Sequence, residues 1–209
     1  MEKNKQSMII QTIAYGALWG LAEATIGYLL HWLPALVAGS VMFPVGAAIL
    51  MRAYGRNGSR KMLFFIGVVA AAIKAADFIL PVISPWKVVN PMICIVLEAS
   101  VVAAVALMVE KGPVMARLAL LPAASVAWRF LFLGVLGIQY LTTGTLSVQI
   151  STPANIVSFA IWSGLFSGAL AIGLDFLRRL GSKTFVKPFT RPAFAGALVA
   201  LALVVTVLL

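Results

Sequence analysis

The sequence predicts an all-α membrane protein: a bundle of about seven transmembrane helices with its N-terminus inside. Three observations predict it. Hydrophobic residues make up 62% of the 209 residues and charged residues only 11%, and the mean hydropathy is +1.05. Soluble domains average nearer half apolar and a quarter charged. Apolar runs recur along the chain, each close to the ~20 residues with which a helix crosses the hydrocarbon. Finally, the basic residues gather between alternate runs, as they do in the cytoplasmic loops of membrane proteins.

The runs lie at 8–31, 35–52, 62–80, 91–109, 116–138, 154–177 and 193–209. The first follows Lys3 and Lys5 and is interrupted by Glu23. Only "HWLPALVAG", with His31, Pro34 and Gly39 as breakers, separates it from the second. Ala22-Glu23-Ala24 has the form of a signal-peptidase site, but the apolar stretch continues to Leu30, longer than a signal h-region. The second run ends in a basic loop holding Arg52, Arg56, Arg60 and Lys61, and the fourth and fifth are separated by Lys111 and Arg117. The segment 139–153, "QYLTTGTLSVQISTP", is polar and uncharged, and is either a connector or a lid. After the sixth run comes "RRLGSKTFVKPFTRP", a basic loop able to meet anionic lipid. The last run, of 17 residues, is at the short end for a span.

With the N-terminus inside, thirteen of the sixteen Lys and Arg fall in inner loops, one (Lys87) falls outside, and Lys74 and Arg129 fall within spans. This asymmetry orients the bundle and accounts for the net charge of +10 without nucleic acid. The expected organisation is a single membrane domain over 1–209. It comprises a six-helix solute-binding core at 8–177, a basic cytoplasmic loop at 178–192 and a C-terminal helix at 193–209.

Five charged residues stand out inside the runs: Glu23, Lys74, Asp77, Glu98 and Arg129. Each costs roughly 2.5–3.5 kcal/mol at a helix centre on insertion scales, so they are expected to face the interior. Glu23 lies 15 residues beyond Met8, Lys74 12 beyond Met62, Glu98 7 beyond Pro91 and Arg129 13 beyond Ala116. At about 1.5 Å per residue, they reach the middle or outer half of the bilayer together, with Asp77 nearer the outside. Tyr15, Trp19, Glu23, Gly27 and His31 follow at i+4 on one slowly drifting ridge, as do Asn90, Cys94 and Glu98, and Ser125 with Arg129. Asn155, Ser158 and Trp162 have helical spacing on the sixth run.

The expected small-molecule site therefore comprises Glu23, Glu98, Arg129, Lys74, Asp77, Asn90, Asn155, His31, Trp19 and Trp162, with Arg129 as the partner of Glu23. The competing reading is an internal salt-bridge network, with Lys74 and Asp77 as a self-neutralising pair. Three carboxylates against two cations leave a deficit of one positive charge. A protonated carboxyl, an imidazolium at His31 or a cationic ligand would close it.

Other chemistry is limited by what the sequence lacks. One His and one Cys do not build the usual transition-metal cages, so no metal or cofactor is expected. No phosphate-binding glycine loop and no G-x-S-x-G nucleophile motif occurs. The chain is not expected to be an enzyme, although an intramembrane acid or base at Glu23, Asp77 or Glu98 is compatible with it.

Over about residues 8–177 the chain resembles the S components, the substrate-binding membrane subunits of energy-coupling factor transporters. The resemblance rests on size, short-looped helices, an outward-biased polar site, the segment "NPMICIVLEA", and the small-residue face Gly16-x-x-x-Gly20-x-x-x-Ala24. The family typically has six spans, and here a seventh follows. The resemblance implies capture of a vitamin-like micronutrient from outside a prokaryotic cell membrane. It also implies docking through Gly16, Gly20 and Ala24 on a scaffold membrane subunit driven by separate ATPase subunits. An autonomous proton-coupled transporter, and an intramembrane enzyme or assembly factor acting on lipid, are the alternatives.

The charge asymmetry yields a topology test. A cysteine added after Leu209 in a Cys94→Ala background is expected to react with an impermeant maleimide from outside intact cells. Reaction only after permeabilisation would give an even number of crossings and reverse the placement of the polar layer.

Overall fold

The computed structural model describes residues 2–30, 35–79, 84–180 and 189–208, and among these there is no strand. The described residues form seven helical rods. α1 spans 2–30, α2 Ala35–Asn57, α3 Arg60–Ile79, α4 Trp86–Lys111, α5 Val114–Thr143, α6 Pro153–Leu180 and α7 Pro192–Leu208. Five of them (Lys5–Leu30, α3, α4, α5 and α6) are long and apolar enough to cross a membrane, and α7 is an apolar helix of 17 residues. The protein is a multi-pass helical membrane protein.

Local sequence explains the punctuation. Ser59 caps α3 by accepting a hydrogen bond from the Met62 amide at 3.3 Å. Gly58 and Gly144 have φ of +63° and +69°, the left-handed conformation with which a helix commonly ends. α5 continues five residues beyond the expected span, to Thr143, before Gly144 stops it. The segment 139–153 is thus helical at its start, where the hydroxyls of Thr142 and Thr143 donate back to helix carbonyls. Its weakly alternating part forms a 3-10 turn at Val148–Ile150. α4 begins at Trp86 and carries Pro91 inside its first two turns, where fewer helical hydrogen bonds are at stake.

α1, α3, α4, α5 and α6 follow one another around the bundle. α2 closes it by packing on both α6 and α1 and reaching across to α4. α7 lies outside this ring, against α1 and the end of α3. Close approaches at small residues fix these pairs. A Cβ added at Gly16 would stand 2.6 Å from Val69, and one at Gly20 3.0 Å from Ile73. Gly67 of α3 is packed directly on Ala99 of α4, and Gly168 of α6 on Pro122 of α5. Gly46 of α2 holds the flat face of Trp19, 2.6 Å from where its Cβ would be.

One polar network joins three helices at the end of the bundle that carries the basic loops. Arg178 donates to Glu110 at 2.6 Å, to Asp175 at 2.9 Å and to the Met51 carbonyl at 3.3 Å. Arg179 donates to Asp175 at 2.9 Å, to the Val109 carbonyl at 3.0 Å and to Glu110 at 3.2 Å. Asp175, buried to 4% exposure, lies within the 154–177 run and is a further charge inside the runs that the sequence reading missed. At the same end, Asn57 donates to Gln11 at 2.8 Å, and Phe189 stacks on Tyr15 with ring centres 4.6 Å apart.

The close contacts predict a contrast between glycines. Gly67→Leu is expected to destabilise the bundle by about 1–3 kcal/mol or more, because the extra volume forces α3 off α4. Gly134→Leu, at a position with nothing within 4 Å of an added Cβ, is expected to leave the melting temperature in detergent within a degree or two. Equal effects would remove close packing as the organising constraint.

Candidate functional site

The site is built on α1, α3, α4 and α5. α1 departs from regular geometry at Glu23–Gly27, which forms a π turn. In an α-helix an i+4 ridge advances around the axis with each step, because 3.6 residues complete a turn. The wider π turn cancels that advance and brings Gly27 back over Glu23. The Glu23 carboxylate lies 3.2 Å from the point where a Gly27 Cβ would stand, so glycine leaves it room. Glu23 is half-buried, and Lys74 of α3 is the cation within Coulombic range of it.

Lys74 and Asp77 form an ion pair at 2.7 Å. The pair is local to α3 and neutralises itself. On α4, Glu98 is buried, with 4% exposure, and its Oε2 has no hydrogen-bond partner among the described residues. Both Glu23 and Arg129 lie within Coulombic range of Glu98, and Cys94 lies within range of all three. Asn90, two turns before Glu98 on the same face, has a buried Oδ1 without a hydrogen-bond partner among the described residues.

Arg129 of α5 has 0% exposure. Its Nη1 donates to the Ser125 carbonyl at 2.8 Å and to Ser125 Oγ at 2.7 Å. The guanidinium lies 4.5 Å from the centre of the Trp128 ring and 5.8 Å from that of Phe159. This cradle of rings and hydroxyl carries the cation into the bundle by cation–π attraction and charge-assisted hydrogen bonds.

The sequence-predicted residues thus divide. Glu23, Lys74, Asp77, Glu98 and Arg129 meet in one layer. Within it Lys74 is in Coulombic range of Glu23, and Arg129 of Glu98. Trp19 is fully buried, wedged between Gly46 and Gly67, and serves packing. Trp162 is 69% exposed and forms no wall of the layer, because a second π turn, at Ser158–Trp162, turns Phe159 inward instead. Asn155 is spent locally: its Nδ2 donates to the Val148 carbonyl at 3.0 Å and to Ser151 Oγ at 2.9 Å. Its amide donates to Thr152 Oγ1 at 3.1 Å, capping α6. His31 lies outside the described residues.

Gly16 and Gly20 are closed over by Val69 and Ile73 of α3, and Ala24 is buried. This small-residue face is therefore used within the chain, which corrects its assignment to a separate scaffold. Trp128 and Phe159 were missed. Trp128 precedes Arg129 directly, and on an ideal helix neighbouring residues diverge, so nothing in the spacing marks it.

Comparison with known proteins assigns no kinship: no family model, no curated protein and no solved structure matches the chain.

The Arg129 cradle predicts that charge alone does not replace the guanidinium. Arg129→Lys is expected to cost about 2 kcal/mol, because a compact ammonium loses the stacked, forked geometry in a desolvated place. Thermal unfolding in detergent measures it. A lysine variant as stable as the parent would show that only the positive charge matters at this position.

Proposed function

We propose that the chain is the solute-binding membrane subunit of an uptake system. It takes a small polar, micronutrient-like solute from the end opposite the basic loops. It passes that solute inward with separate energising partners, a scaffold membrane subunit and ATPases, in a prokaryotic cell membrane.

The observation that carries this reading is the contrast between the two buried polar layers. At the basic end, Glu110, Asp175, Arg178 and Arg179 bond to one another and to two backbone carbonyls. A network with that role closes on itself. In the middle layer, Glu98 keeps an oxygen without a hydrogen-bond partner among the described residues, although it is nearly inaccessible. A buried carboxylate left so costs stability, and such groups in membrane helices mark substrate and ion paths. The small-residue face on α1 is already covered by α3, so a scaffold partner would have to meet a different surface.

Native mass spectrometry of the gently purified full chain tests the proposal. A small polar solute is expected to be retained. Glu98→Gln should lose it while the melting temperature of the solute-free protein stays close to that of the parent. A large fall in that temperature with the solute still held would make the layer structural. Solute accumulation by the chain alone in liposomes would make it an autonomous transporter.

A further inference from the structure

We propose that the solute of the mid-bundle layer is a small organic cation bearing N–H donors, a protonated amine or amidine, held between Glu98 and Glu23. This rests on the uptake reading and adds the sign and hydrogen-bonding character of the solute.

The charges come first. Lys74 and Asp77 answer each other at 2.7 Å. Glu23, Glu98 and Arg129 remain, two carboxylates against one cation, within Coulombic range through Glu98. Among the described residues the layer thus holds one more acidic group than basic, which a bound cation would answer in a place where an unanswered charge is costly.

The bonding commitments point the same way. Arg129 is turned toward the protein's own groups, with its Nη1 on Ser125 and its guanidinium carbon 4.5 Å and 5.8 Å from the ring centres of Trp128 and Phe159. Unused acceptor capacity lies close by, on α4. Glu98, 96% buried, has Oε2 without a partner among the described residues, and so does the carbonyl oxygen of Asn90 on the same face of α4. Asn90 lies about 12 Å further toward the end opposite the basic loops, where α4 begins. The buried Gln139 of α5, with Oε1 also unsatisfied, lies about 15 Å beyond Arg129 in the same direction. The indole N–H groups of Trp19 and Trp128 have no acceptor among the described residues. Both rings are packed into the framework, Trp19 between Gly46 and Gly67, Trp128 among Phe43, Phe132 and Phe159.

A metal ion does not suit these groups: among the described residues no three His, Cys, Asp or Glu are placed to hold one. An ammonium or amidinium does. It supplies the missing charge and two or more donors for acceptors that differ in kind. An anion would meet two carboxylates, and a neutral solute would leave the charge deficit standing.

The test uses the full chain in lipid nanodiscs and three probes of similar shape: 2-phenylethylammonium, 2-phenylethanol and phenylacetate. Calorimetry is expected to show binding of the ammonium alone. Glu98→Gln and the half-buried Glu23→Gln should each weaken it by about tenfold or more. The Glu23 variant stands as the control should Glu98→Gln fold poorly. Equal or tighter binding of phenylacetate or phenylethanol, or unchanged ammonium affinity in both variants, would overturn the proposal. If none of the three binds, the solute retained in native mass spectra decides. A retained amine or amidine supports the proposal, and a retained anion or neutral solute overturns it while leaving the uptake reading intact. No retained solute of any kind removes both.

Discussion

The bundle depends on how closely its helices approach at small residues. In lipid, apolar side chains gain little by leaving one another for the hydrocarbon, so helix association rests on van der Waals packing and polar contacts. Here that packing is made at Gly16 and Gly20 against Val69 and Ile73, at Gly67 against Ala99, and at Gly164 and Gly168 against Val126 and Pro122. Each is a place where even one methyl would collide. The α1–α3–α4 contacts matter most for the chemistry. They bring the backbones bearing Glu23, Lys74 and Glu98 close enough for those charges to act on one another. Trp19 completes the same joint by filling the space between Gly46 and Gly67. Had these glycines been larger, the ionisable groups would stand on separate rods, each facing the cost of burial alone.

The same close packing allows two polar layers to behave differently. Near the basic end, side chains are long and the backbone carbonyls of Met51 and Val109 lie within reach, so Arg178 and Arg179 tie α2, α4 and α6 into one closed network. Gly55 gives that network room, since a Cβ there would stand 3.0 Å from Glu110 Oε1. In the middle layer Glu23 stands on α1 while Cys94 and Glu98 share α4, and all three are shorter groups. Their charges influence one another without a described ion pair between Glu98 and any cation. One layer holds the helices in register, and the other keeps bonding capacity in reserve.

Much of the fold was legible because membrane helices announce themselves. Composition and run length are coarse signals that survive errors of several residues, and the runs correspond to the described helices one for one. The charged members of the site were legible for a related reason: a carboxylate in an apolar run has few places to go. What was not legible depends on rotation about a helix axis. The i+4 rule put Trp162 on the inner face, and a single π turn moved it out and Phe159 in. The Asn155 side chain was claimed by the Val148 carbonyl and Ser151 Oγ, short-range bonds that spacing alone does not weigh against a distant site. Gly16 and Gly20 were recognised as a packing face, but sequence does not say whether the opposing helix belongs to the same chain. Asp175 lies inside the 154–177 run and was missed, although its place in an apolar run would have marked it.

The two π turns bear on whether the middle layer was shaped for a purpose. A π turn inserts one residue into a helix at some cost in hydrogen-bond geometry, and such insertions recur at functional sites. Among the described residues there are two, and each delivers a member of this layer. One opens with Glu23 and sets Gly27 beneath its carboxylate. The other contains Phe159, whose ring lies against the Arg129 guanidinium. Regular helices would carry the same residues around to other faces. A framework needing only adhesion gains nothing from these irregularities, because the glycine contacts already supply it. Both fall instead beside the charged layer, one at Glu23 on α1 and the other at Phe159 on α6 against Arg129. The departures from regular geometry and the unsatisfied carboxylate thus coincide in space, though they arise from independent features of the chain. That coincidence is a stronger argument for a binding layer than the charges alone.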